Sequence, residues 1–351
     1  MMAVAASRDS EAGEPVRPRV LVSVLVPTLN EESQIADVAA RLGSQRLDGE
    51  AEFLFIDGRS QDGTRAQLAR LQAEDPRIRI LDNPRGGIPF ALNIGLRTAR
   101  GEFVARMDAH TLYPSDYLAR GIERLSRGDG VVWVSGPQLA HGVDRWSRRV
   151  AVALGTRLGI GGARFRRLGR EIEVDAGFTG VWRRETLLEH HGWDEAWAVN
   201  EDGELAARIR AAGGVIVCAP EMAARYIPRS SLRSLARQYW RYGIFRAKTC
   251  RAHPESMRAS HALPPGLVLA LPLTIVPVRP LAVAARAGFG GYLLALLGSA
   301  LSVGRRVGPR EAFWSPLILM TMHFAWGGGF LLGASRFGPP LRALTALIRR
   351  G

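Results

Sequence analysis

The chain has 351 residues, 47% of them hydrophobic, and a formal net charge of +14 carried almost wholly by arginine, since Lys248 is the sole lysine. That length holds one large domain and an appendage, and the two cysteines, Cys218 and Cys250, show neither metal-ligand spacing nor a disulfide framework, so a reducing compartment is expected. Nine of the arginines stand in residues 264–351 against the single acid Glu311, beside the most apolar sequence of the chain, which marks a membrane boundary rather than a nucleic-acid surface.

Met1 to Arg19 is interrupted by charges and prolines and has no apolar run of the kind a signal peptide needs, so 1–19 is read as a disordered N-terminus. Val20-Leu-Val-Ser-Val-Leu-Val26 reads as a central parallel strand stopped by Pro27, and Ile35, Val38, Ala39 and Leu42 follow at helical spacing with Asn30 as the expected cap. A second strand, Phe53-Leu-Phe-Ile56, ends in the loop Asp57-Gly-Arg-Ser-Gln-Asp62-Gly-Thr64, where Asp62 or Thr64 caps the next helix. Ile78–Leu81 is a third strand, and Pro89 suits the first turn of the helix carrying Leu92, Ile94 and Leu96. The alternation from 20 to 108 specifies a Rossmann-like parallel sheet of class α/β. No G-x-G-x-x-G follows the first strand, which disfavours a nicotinamide or flavin enzyme.

Phe103-Val-Ala-Arg-Met-Asp108-Ala-His110 is the pivotal stretch, because an apolar run ends abruptly in an acid and an imidazole. Ligands of open α/β sheets bind beyond the carboxyl ends of strands. Asp108 and His110 are therefore either an oxygen and nitrogen pair for a divalent metal or a simple turn. Arg85 and Arg106 are read as solvated rather than phosphate-binding. Val131–Val134 is a further strand, and an amphipathic helix around Trp146–Leu158 is either a lid or a membrane-facing element. In Asp175-Ala-Gly-Phe-Thr-Gly-Val-Trp-Arg183, Trp182 either stacks on a ligand ring or packs inside. Asn200-Glu201-Asp202 opens a helix, and Ser230 or Ser231 opens another that interleaves Tyr239, Trp240, Tyr242 and Phe245 with arginines, a pattern that also suits a membrane interface. His253 and His261 have no partner spacing and are read as solvated. Three apolar segments follow: Leu263–Ala285 is kinked by proline, Ala287–Val303 is short for a span, and Ala312–Ser335 is long enough. The positive-inside rule puts Arg305, Arg306 and Arg310 beside the α/β domain on the cytoplasmic side; either one segment is re-entrant or the tail lies on the surface.

Val24-Leu-Val-Pro-Thr-Leu-Asn-Glu31, the Asp57–Thr64 loop, Ala91-Leu-Asn-Ile-Gly95 with Ala99-Arg-Gly101, the Asp-x-His turn, Asn200-Glu-Asp202 and Gln238-Tyr-Trp-Arg241-Tyr242 together resemble family 2 glycosyltransferases, and most closely the succinoglycan-type exopolysaccharide group. The resemblance covers about residues 20–250. It implies a GT-A, Rossmann-like nucleotide-binding domain over 20–250 and a membrane-associated helical tail over 251–351. It also implies an inverting transfer of a hexose from a nucleotide-sugar donor, UDP-hexose, to a lipid-linked or glycan acceptor at the cell membrane, with no nucleic-acid partner. Pro27, Thr28, Asn30, Glu31 and Asp57 would line the nucleotide pocket, where Gly58 replaces a frequent second acid. Asp108 and His110 would hold a divalent metal, Mn²⁺ in preference to Mg²⁺ because imidazole is the softer donor. Asp202 would be the base, with Glu201, Trp182, Gln238, Arg241 and Tyr242 toward the acceptor; Tyr242 stands where the family has tryptophan. The rival readings are a sugar nucleotidyltransferase, whose Gly-rich basic phosphate loop is missing after the first strand, and a basic nucleic-acid-binding protein.

Overall fold

The computed structural model describes residues 20–160 and 169–350. The expected disordered N-terminus and residues 161–168 of the glycine- and arginine-rich stretch lie outside the described residues. Strands β1 (Val20–Thr28), β2 (Glu50–Asp57) and β3 (Ile78–Asp82) alternate with helices α1 (Ile35–Gly43), α2 (Thr64–Glu74) and α3 (Ile88–Thr98), as the apolar runs require, and β4 (Phe103–Arg106) follows. Next come β5 (Thr111–Leu112), α4 (Tyr117–Leu125), β6 (Val131–Ser135), β7 (Gln138–Ala140), α5 (Arg145–Leu154), α6 (Arg157–Ile160), β8 (Ile172–Glu173), β9 (Gly180–Arg183) and α7 (Arg184–Glu189). The sheet domain closes with α8 (Glu201–Ala211), β10 (Val215–Cys218) and β11 (Ala224–Tyr226).

The main sheet runs β3-β2-β1-β4-β9-β6-β10-β8, parallel from β3 to β4 and between β6 and β10, with β9 wedged antiparallel between β4 and β6. A second sheet, β5-β11-β7, holds the chain leaving β4. The chain order reverses beside β1, and β1 and β4 carry Thr28 and Asp108 to that crevice. Val24, Val26, Phe53, Phe55 and Ala105 bury against α1 and α4 on one face, while Leu25, Leu54, Ile56 and Val104 bury against α3 and α8 on the other. Strands covered on both faces need unbroken apolar sequence, which is why these runs were recognisable.

A helical layer completes the molecule: α9 (Leu232–Ala252), α10 (Ala259–Leu273), α11 (Arg279–Val307), α12 (Pro309–Phe337) and α13 (Leu341–Arg350). Ser231 caps α9 by accepting from the Ser234 amide at 3.2 Å. The segment read as too short, Ala287–Val303, lies inside the 29-residue α11, because helix geometry continues through the flanking arginines that bounded the apolar count. By length and composition α11 and α12 suffice to cross a membrane, whereas α10 is shorter and proline-rich. Helix α5 is no lid: Val150, Ala153 and Leu154 pack with Leu235 of α9, Leu296 of α11, and Ile318, Leu319 and Met322 of α12. Glu311 stands 3.3 Å from Arg149 of α5, which lies over the Trp314 ring at 4.5 Å.

Candidate active site

The carboxyl edge of the sheet is organised by a buried cation. Arg106, 2% exposed, donates through Nε to Asp108 Oδ1 at 2.8 Å and through Nη2 to Asp108 Oδ2 at 3.1 Å. Its Nη1 donates to Glu201 Oε1 at 2.8 Å, and the Phe178 ring lies 5.6 Å from the guanidinium carbon. Sequence reasoning set Arg106 aside as solvated. The overlooked signal was its position, because a charge inside a buried strand must be paired. Arg106 thus joins the end of β4 to the start of α8, and Asp108 to the residue preceding Asp202.

Asp202 lies in the first turn of α8, and its Oδ1 accepts from the Gly203 amide at 2.7 Å. Burial and the neighbouring Glu201 carboxylate push its carboxyl up to about 7, against the opposing pull of Arg106. A carboxylate tuned near neutrality is suited to taking a proton. Glu201 is 5% exposed and paired to Arg106, so it stands behind Asp202 rather than toward an acceptor. Asn200 caps the helix in the left-handed region, φ 66°, and its Nδ2 donates to Thr249 Oγ1 of α9 at 2.9 Å. Trp197 Nε1 donates to the same oxygen at 2.9 Å. Sequence reasoning missed Thr249, whose partners lie about fifty residues away. Arg246 of α9 is a cation close to Asp202 and Asp175 and makes no hydrogen bond or ion pair among the described residues, whereas Asp175 is paired with Arg258.

On the nucleotide side, Asp57 is 2% exposed and accepts from the Ser60 amide at 3.3 Å and from Arg65 at 3.4 Å. The Thr28 hydroxyl donates to Val26 O at 2.9 Å, and Pro27 precedes it at the end of β1. Asn30 is not the cap of α1, which begins at Ile35. Its backbone is left-handed, φ 55°, its amide donates to Ser60 Oγ at 2.8 Å and its Oδ1 accepts from the Gln61 amide at 2.8 Å, so it clasps two loops. The N-cap position of α2 is held by Gly63 rather than by Asp62 or Thr64, and Asp62 accepts from the Thr64 amide at 3.1 Å from just outside the helix. Glu31, 7% exposed, faces His110 Nε2 at 3.0 Å, while His110 Nδ1 lies 3.1 Å from Gln34. The hydrogen bond to Glu31 raises the His110 pKa.

The donor set for a metal fits in part. Asp108 retains lone pairs beyond those taken by Arg106 and is half-buried at the crevice. His110 has the right donor type two residues away, yet both its nitrogens rest on Glu31 and Gln34, and ligation requires it to leave them in neutral form. Among the described residues no group of three or more His, Cys, Asp or Glu side chains is gathered for a metal.

Several expected placements are corrected. Trp182 is 1% exposed, with its ring centroid 4.8 Å from that of Trp133 and 5.9 Å from that of Trp193, and therefore has no face free for a sugar. Gln238 donates to the Tyr242 hydroxyl at 2.8 Å, while Arg241 is exposed to one side of that pair. His253 is not simply solvated, since its Nε2 lies 3.3 Å from Glu204, and the His261 ring sits 5.8 Å from that of Trp326. Arg85 pairs with Glu195 at 2.9 Å.

Residues 23–192 match the family model for glycosyl transferase family 2. The chain is 33% identical over 320 residues to the succinoglycan biosynthesis protein ExoA of Rhizobium meliloti (strain 1021), covering 88% of this chain and 93% of that one. It is 25% identical over 233 residues to a dolichyl N-acetyl-alpha-D-glucosaminyl phosphate 3-beta-D-2,3-diacetamido-2,3-dideoxy-beta-D-glucuronosyltransferase of Methanococcus voltae, covering 63% of this chain and 71% of that one. The mannosyltransferase PcManGT from Pyrobaculum calidifontis, solved in complex with GDP-Man and Mn²⁺, superposes with a TM-score of 0.57 at 23% identity, covering 90% of this chain and 87% of that one. The fold is that of a GT-A glycosyltransferase. The chain belongs to glycosyl transferase family 2.

Proposed function

We propose that this glycosyltransferase transfers a hexose with inversion from a nucleoside diphosphate sugar, UDP-hexose, to a lipid-linked or glycan acceptor in exopolysaccharide or cell-envelope synthesis, with residues 20–250 as the catalytic unit on the cytoplasmic side of the membrane. The observation that carries it is Asp202, a carboxylate tuned to about 7 at the start of α8 and linked through Glu201 and Arg106 to the strand end that bears Asp108. The 33% identity to a succinoglycan biosynthesis protein supports the polymer class, and the dolichyl-phosphate relative supports a lipid-linked acceptor. Residues 251–351, with two helices long and apolar enough to cross a membrane, support an acceptor carried by the membrane.

In this reading the base and ribose lie over the end of β1, with Pro27, Thr28, Asn30, Glu31 and Asp57 around them. Asp108, and His110 once released from Glu31, would hold a divalent metal, Mn²⁺ in preference to Mg²⁺, which would supply positive charge for the leaving diphosphate. Arg246, which has no direct partner among the described residues, would add a protein cation beside Asp202. Asp202 takes the proton of the acceptor hydroxyl as that oxygen attacks the anomeric carbon from the face opposite the diphosphate. Glu201 and Arg106 hold Asp202 in position, and Gln238, Tyr242 and Arg241 bound the acceptor side.

The test is Asp202→Asn, which keeps the size of the side chain and removes its basicity. Transfer of labelled sugar to membrane lipid, screened over several nucleotide sugars, should fall well over tenfold while donor binding holds near the wild-type level. A variant retaining a tenth of wild-type kcat, a barrier change of only about 1.4 kcal/mol, places the base elsewhere.

A further inference from the structure

Helix α12 is held along its length by α9, which is tied to the start of α8 through Thr249, and near its own start by α5 of the sheet domain. Near its start, Trp314 stacks edge-on with Trp146 of α5 at 5.2 Å, and Glu311 meets Arg149. Further along, Leu319 and Met322 pack with Leu235 of α9, and Gly329 abuts the backbone of Trp240. At its far end Phe337 lies 6.3 Å from Phe245 and 5.5 Å from Lys248 of α9. The 29 residues of α12 span about 43 Å, so both ends of an element longer than the ~30 Å hydrocarbon core rest on helices, α5 and α9, that are packed on the sheet domain.

Helix α11 runs antiparallel along the outer side of α12, with Phe289 facing Phe324 at 6.4 Å, the Tyr292 hydroxyl 3.0 Å from His323, and Gly304 close to Ala312. Helix α13 returns to the domain, burying Ala343 with Cys250 and Met257. A crossing hairpin would therefore draw α9 into the hydrocarbon with Arg233, Arg237 and Arg241, all exposed. The outer layer is apolar instead: Leu263, Ile275, Leu294, Leu297 and Ile348 are each more than half exposed. Arg279 and Arg286 near the start of α11, Arg305 and Arg306 at its end, Arg310 at the start of α12 and Arg342 on α13 border that layer.

We propose that α10–α13 do not cross the bilayer but lie in the plane of one anionic leaflet, with the apolar face of α11 sunk among the acyl chains and the arginines at the phosphate level. This rests on the membrane association proposed above and specifies its form. A layer of this kind explains how the Arg305–Arg310 turn can share a side with the catalytic domain without a third crossing.

The test uses the full chain in membranes of an expressing bacterium, with single cysteines at three exposed positions: Ser126→Cys in the sheet domain, Val278→Cys before α11, and Val307→Cys at the α11–α12 turn. The native Cys218 and Cys250 are buried. An impermeant maleimide should label all three from the same side, in right-side-out or in inside-out vesicles but not in both. Labelling of Val307→Cys from the side opposite Ser126→Cys, or of Val278→Cys opposite Val307→Cys, overturns the proposal and leaves the transfer reaction untouched. As a second readout, a fluorophore on Leu294→Cys, at the middle of α11, should be quenched more strongly by nitroxides near the headgroup than by nitroxides at the bilayer centre. The reverse order overturns the in-plane arrangement, and the absence of quenching by either removes the membrane reading itself.

Discussion

At the scale of single residues, the site is governed by charges stacked behind one another: Asp202, then Glu201, then Arg106, then Asp108. Since Glu201 raises the Asp202 pKa, Glu201→Gln should lower it, both by removing the like charge and by freeing Arg106 from one partner. As the base proposed above, Asp202 would work deprotonated, so the acid limb of kcat/KM should move to lower pH, and each unit of movement changes the rate on that limb about tenfold. An unmoved limb would separate the limb from Asp202. A second prediction concerns His110→Asp, which hardens the donor set. The Mn²⁺-to-Mg²⁺ ratio of initial rates at saturating donor should fall, by a factor of a few or more, even if absolute rates drop. An equal effect on both metals would leave Asp108 as the only ligand and keep His110 as the partner of Glu31.

At the scale of elements, the seam between α9 and α12 depends on missing side chains. A Cβ at Gly243 would sit 2.1 Å from the Trp326 carbonyl oxygen and 2.6 Å from the Phe330 nitrogen. Gly243→Ala should therefore destabilise the protein by roughly 1–3 kcal/mol through overpacking. Gly291→Ala on α11, where a Cβ meets nothing within 4 Å, should be neutral or slightly stabilising because alanine is the better helix former. Thermal denaturation in detergent compares the two, and equal melting temperatures would remove the close seam. The seam was not legible in the sequence, because the glycines that match across it are more than eighty residues apart. Strands β1 to β4 were legible, since burial on both faces demands unbroken apolar runs. The four-residue β9 was not, because its antiparallel place between β4 and β6 is fixed by partners rather than by its own pattern. In the site, Asp108 and Asp202 stood out as acids at element ends. Arg106 did not, because its role depends on Glu201, 95 residues away.

At the scale of the molecule, the helical layer and the sheet domain share one interior. Leu235, Ala247 and Cys250 of α9 are fully buried, within clusters completed by α12 and α13. Truncation after Pro254 should thus expose the apolar side of α9 rather than liberate a soluble catalytic unit. In flotation the fragment should stay with lipid, or aggregate, at high salt as well as low. A monodisperse fragment that never floats would show that the two parts are independent.

The Thr249 hydroxyl gives this union a further meaning. That single oxygen receives Asn200, which caps the helix of the base, and Trp197, and it sits on the helix to which the lipid-side layer is fixed. The alignment of the proton acceptor is therefore tied to how that layer is seated. Under the proposed function, a chain adrift from its bilayer would keep every catalytic group and lose their registration. In that reading turnover would be a property of place, with synthesis proceeding where a lipid-linked acceptor lies and idling elsewhere.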